Sequence, residues 1–97
     1  MKILITEFME TNSVEILKKN FDITFDQELS TNHIKLKNSI NKFDALIVRN
    51  KTQVNQVILE NATNLKFIGR LGVGLDNIDT EYCKNNNIHV QPATGMN

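Results

Sequence analysis

The 97-residue sequence predicts a single α/β domain built on a parallel sheet with helices on both faces. Two observations carry that reading. Five short apolar runs each lead into a segment of different texture, and most of those segments have helical period. The runs are also nearly continuous rather than alternating, as in strands that are covered on both faces.

Ile3-Leu4-Ile5 is the first strand. A polar cluster, Thr11, Asn12 and Ser13, follows and can cap a helix carrying Val14 and Leu17. Residues 21–25 read as the second strand. Ser30 or Thr31 then opens a helix with His33, Leu36, Ile40 and Phe43 on one face. Residues 45–48, Ala-Leu-Ile-Val, form a fully apolar third strand, and Val54, Val57 and Ile58 mark a third helix ending near Asn61. Residues 65–68 are the fourth strand, Asp79 caps a short fourth helix, and residues 88–90 are the fifth strand. Pro92 follows that strand, and residues 91–97 read as a linker leaving the domain, as at the front part of a longer protein. Right-handed crossovers then favour the flavodoxin-like strand order 2-1-3-4-5.

Composition excludes several classes of function. The formal net charge is zero, so no electrostatic argument points to nucleic acid or an acidic membrane surface. The apolar runs are too short for a transmembrane helix, and the N-terminal run is too short for a signal peptide. The single cysteine, Cys83, forms no internal disulfide framework and suits a reducing cytoplasm. It reads as a small buried apolar residue. Lys, Asn and Ile are frequent enough that an asparagine is weak evidence of function. Arginine is the opposite case: it occurs twice, at Arg49 and Arg70, in a chain that otherwise uses Lys. Those two positions call for a planar, forked guanidinium.

Both arginines fall where an open α/β sheet collects ligands, at the carboxyl ends of strands. Arg49 directly follows strand three and Arg70 directly follows strand four, which should be its neighbour. The turn Gly72-Val73-Gly74 continues from the same end, so the amides of Val73 and Gly74 can join the arginines around a small dianion. Asn50 and Thr52 add neutral donors. A dinucleotide fingerprint is excluded, because G-x-G-x-x-G needs a small residue at position 77 and Asn77 stands there. Asp76 and Asp79 read as helix capping and dipole complement rather than an acid/base pair. His33 and His89 have no second ligand at metal-binding spacing. A phosphorylation receiver would need acids at the ends of strands one and three, whereas Glu7 alone follows the first and Arg49 occupies the other.

Residues 45–54 (Ala-Leu-Ile-Val-Arg-Asn-Lys-Thr-Gln-Val), 69–79 (Gly-Arg-Leu-Gly-Val-Gly-Leu-Asp-Asn-Ile-Asp) and 91–97 (Gln-Pro-Ala-Thr-Gly-Met-Asn) together resemble the D-isomer-specific 2-hydroxyacid dehydrogenases. The 3-phosphoglycerate dehydrogenase branch is the nearest in look, and residues 48–54 and 92–95 also resemble members assigned to sulfolactate. The resemblance implies the N-terminal part of a two-domain NAD-dependent enzyme. Residues 1–90 would belong to the substrate domain and 91–97 to the interdomain hinge, with the NAD-binding Rossmann domain downstream. It further implies that Arg49 and Asn50 contact the distal acidic group of a small hydroxy or keto acid. Val73 and Gly74 would hold its carboxylate, Arg70 would support that pocket, and Asn97 would reach into the cleft from the hinge. The family's catalytic arginine, histidine and glycine fingerprint all lie beyond residue 97, so this chain alone is expected to be inactive. A homodimer is implied for the complete enzyme. The alternative is a free-standing flavodoxin-like anion-binding module.

Overall fold

A computed structural model describes residues 1–72 and 74–92. Five strands, β1 (Lys2–Ile5), β2 (Asp22–Phe25), β3 (Ala45–Val48), β4 (Phe67–Arg70) and β5 (His89–Pro92), pair in the order β2-β1-β3-β4-β5, all parallel. The expected strand order is therefore the observed one. Its central strands are apolar because both faces are covered: Leu4, Leu46, Val48 and Ile68 are wholly buried on one side, with Ile3, Ile5 and Ala45 buried on the other.

Among the described residues there are four α-helices: α1 (Thr11–Asn20), α2 (His33–Ser39), α3 (Gln56–Asn61) and α4 (Thr80–Asn85). Leu36 of α2, Ile58 and Leu59 of α3 and Cys83 of α4 pack into one core cluster against β1, β3 and β4. On the opposite face, Val14 of α1 packs on Ile3, Ile5 and Ala45. Helices do cover both faces, but three to one. Over β3 and β4 the α1 face keeps Ile47 and Phe67 only partly buried, and the Phe67 ring lies 5.4 Å from that of exposed His89.

Several boundaries differ from the sequence reading, each for a local reason. The Thr11–Ser13 cluster lies inside α1, whose cap residue is Glu10 and makes no side-chain capping bond. Helix α2 starts later than expected. Residues Gln27–Ser30 form a 3-10 turn capped by Asp26, and Asn32 caps α2 by accepting from the Lys35 amide at 3.0 Å. His33 is thus the first residue of α2 and partly exposed. Val54 precedes α3, in an isolated bridge to Ile78, and Val57 is exposed. Strand β4 begins two residues late because Leu65 is spent on the turn after α3, its amide donating to the Ala62 carbonyl. Ile88 likewise packs the turn after α4, donating to the Cys83 carbonyl, so that β5 runs on through Gln91 and Pro92. Apolarity alone does not separate a strand residue from a buried turn residue. Residues 93–97, the remainder of the expected linker, lie outside the described residues.

Candidate functional site

The carboxyl ends of β1, β3 and β4 stand side by side, because Ile5 pairs with Ile47 and Val48 pairs with Arg70. Arg70 is consequently the last residue of β4 rather than the one after it. Arg49, immediately after β3, lies next to it along the same edge. Residues 49–52 then form a loop whose conformation is set by polar groups from two other parts of the chain.

The first is the end of β1. Glu7 is only 7% exposed, and its carboxylate accepts three backbone hydrogen bonds. The Arg49 and Thr52 amides donate to Oε2 at 2.8 and 2.9 Å, and the Lys51 amide donates to Oε1 at 2.9 Å. Beside it, the wholly buried hydroxyls of Thr6 and Thr52 are 2.8 Å apart and share a hydrogen bond. Burial by itself pushes the Glu7 carboxyl up, but the amides of Thr52, Lys51 and Arg49, with the Thr52 hydroxyl, outweigh it and hold the group below the usual value of 4.5. Glu7 is therefore a carboxylate at neutral pH.

The second is the glycine-rich segment after β4. Asn77 is buried, and its Nδ2 donates to the carbonyls of both Arg49 and Thr52 at 2.8 Å. The backbone repeats the attachment: the Val54 amide donates to the Asn77 carbonyl at 2.8 Å, and the Asp79 amide to the Val54 carbonyl at 2.9 Å. Asp79 then caps α4 by accepting from the Tyr82 amide at 3.0 Å, as its position in the sequence suggests. Asp76 is exposed.

Arg70 organises the turn itself. Its Nη1 donates to the Leu71 carbonyl at 2.9 Å, which folds the guanidinium back over Gly72. Gly72 has φ +126°, a backbone conformation that favours glycine, and the Arg70 guanidinium lies where a Cβ would otherwise stand. At Gly74 a Cβ would sit 3.7 Å from Arg70 Nη2, an ordinary contact. The buried Nε of Arg70 and Oδ1 of Asn77 have no hydrogen-bond partner among the described residues.

Of the residues singled out in the sequence, Arg49, Asn50, Arg70 and Gly74 do gather at this edge. Val73 and Asn97 lie outside the described residues. Thr52 does not serve as a donor to ligand: it is wholly buried, its amide donates to Glu7 and its hydroxyl shares a hydrogen bond with that of Thr6. Three residues to which the sequence reading gives no part in the site underlie it: Thr6, Glu7 and Asn77. Glu7 and Thr6 carry a visible signal, being the first polar residues after an apolar strand that must neighbour strand three. Asn77 sits inside the most distinctive motif of the chain, where the frequency of asparagine elsewhere disguised it.

A sequence model of the D-isomer-specific 2-hydroxyacid dehydrogenase catalytic domain matches residues 3–97. The chain belongs to that family. It is 44% identical over 95 residues to an (S)-sulfolactate dehydrogenase of Chromohalobacter salexigens, an alignment covering 98% of this chain and 31% of that protein. Among solved structures, a protein of Pyrococcus horikoshii superposes with a TM-score of 0.91 at 34% identity, over 98% of this chain and 28% of that one. The NAD+-bound 3-phosphoglycerate dehydrogenase of Entamoeba histolytica superposes with a TM-score of 0.71 at 27% identity, over 95% of this chain and 32% of that one. The chain thus spans about a third of the length of these relatives, and the five-stranded parallel sheet is a fold it shares with them.

Proposed function

We propose that this chain is the N-terminal substrate-binding portion of an NAD-dependent dehydrogenase acting on a small acidic 2-hydroxy acid of the 3-phosphoglycerate or sulfolactate type. The observation that carries the proposal is the pairing of Arg49 and Arg70 on adjacent strand ends, with no carboxylate bridged to either guanidinium among the described residues. The ion pairs among the described residues all use lysine and lie elsewhere, at Lys18 of α1 and Lys35 of α2. Two guanidiniums without a carboxylate partner, one on a loop held by Glu7 and Asn77 and one at the adjacent strand end, suit a ligand bearing two acidic groups.

In this reading Arg49 and Asn50 take the distal acidic group. The amides of Val73 and Gly74 take the carboxylate, Arg70 braces their turn, and Asn97 approaches from a hinge at 91–97. Residues 1–90 form the substrate domain. The described residues do not fit the cofactor: the Asn77 side chain occupies the position a dinucleotide loop keeps for glycine and is committed to the carbonyls of Arg49 and Thr52. NAD would therefore be held by a separate domain, in a cytoplasmic homodimer.

The test is steady-state kinetics on the full reading frame with Arg49→Ala. KM for 3-phosphoglycerate or sulfolactate should rise about tenfold or more, the loss of a charge-assisted hydrogen bond. An unchanged KM for both acids would remove Arg49 from the site.

A further inference from the structure

The loop that carries Arg49 already holds an anion, and that anion is part of the protein. Three of its four amides, those of Arg49, Lys51 and Thr52, are taken by the Glu7 carboxylate. Only the amide of Asn50 lies outside that set, so the loop can meet a ligand chiefly through side chains. Arg49 is held from both sides: its amide donates to the Glu7 carboxylate and its carbonyl accepts from the Asn77 side-chain Nδ2, which fixes the backbone on both sides of its Cα. Removing either clamp frees the torsions that aim the guanidinium.

We propose that Glu7 is a positioning residue of the anion site, its buried carboxylate fixing residues 49–52 so that Arg49 and Asn50 face the ligand. The proposal rests on the anion-site reading above. It carries a counterintuitive sign. A carboxylate beneath an anion site repels the ligand, so by charge alone its neutralisation would tighten binding. If positioning dominates, neutralisation weakens binding instead, because an amide facing three N–H donors cannot accept from all of them and the loop shifts.

The experiment measures calorimetric affinity for 3-phosphoglycerate and for sulfolactate in the full reading frame, with a thermal melt for each variant to set the temperature at which it is folded. Glu7→Gln should weaken binding of whichever acid the parent binds by about tenfold, while Glu7→Asp, which keeps the charge, should recover part of the loss. Asn77→Ala releases the same loop from its other side and should weaken binding in the same sense. It also serves as the readout if Glu7→Gln does not fold. A merely structural role for Glu7 would lower the melting temperature and leave the affinity of the folded protein within about twofold, which overturns the proposal. Tighter binding in Glu7→Gln overturns it as well, making the carboxylate an electrostatic opponent only. Arg49→Ala separates the two levels. If it leaves affinity for both acids unchanged, the anion-site reading fails. If it weakens binding while the Glu7 and Asn77 variants do not, only the positioning role fails.

Discussion

Glu7 has the strongest local consequences of any residue at the site. A carboxylate that accepts three backbone amides in a buried setting stabilises the fold only while it is charged. Its value is depressed in the folded chain relative to the usual 4.5, so its contribution is complete at neutral pH and disappears as the pH falls from about that value through the lower folded one. Melting temperature should therefore fall on acidification below about pH 4.5. The Glu7→Gln variant should start less stable at neutral pH by about 2 kcal/mol and lose less on acidification. Parallel curves for the two proteins would mean that Glu7 is not the group responsible. The sequence shows this residue as a lone acid at a strand end. That it turns inward to bind the neighbouring loop depends on β1 lying beside β3, a tertiary fact.

At the level of elements, the β strands and helices were legible in number and order, while their ends were not. Leu65 and Ile88 look like strand residues because they are apolar, yet each closes a turn before its strand begins. Helix α4 illustrates how a short element is held in place. Asp79 caps its start, Asn87 leaves its end in the left-handed region at φ 58°, and Cys83 anchors its middle in the core with no exposed surface. Burial, followed by the charge of Asp79, pushes the Cys83 thiol up to about 11. A protonated, inaccessible thiol is inert. In the native chain Cys83 should resist a disulfide reagent such as Ellman's at neutral pH and react fully once denaturant is added. Rapid stoichiometric reaction without denaturant would show that α4 does not pack as described.

At the scale of the molecule, the described residues are asymmetric about the sheet. Three of the described helices cover one face, and α1 covers part of the other, leaving Ile47 and Phe67 only partly buried and Phe25 exposed. A sheet face with aromatic and aliphatic side chains in reach of water favours association. Expressed as residues 1–97, the chain should self-associate in sedimentation equilibrium, and Phe67→Ser should shift it towards monomer. A monomeric parent with a cooperative melt would instead mark an independently stable module. That outcome would favour a free-standing anion-binding domain over the substrate-binding portion of a larger enzyme.

Hydrophobic patterning by itself determined the class of fold and the strand order, because continuous apolar runs and right-handed crossovers leave few arrangements for five parallel strands. The spacing of the two arginines and the glycine turn pointed to the sheet edge at which we propose a ligand binds. Only the tertiary structure decided which polar residues face outward to that ligand and which are spent holding the loop. Thr52 passed from candidate donor to buried brace, while Glu7, Thr6 and Asn77 emerged as the groups beneath the site. Their partners lie 25 to 46 residues away in sequence, and hydrogen bonds across such distances leave no local pattern in the chain.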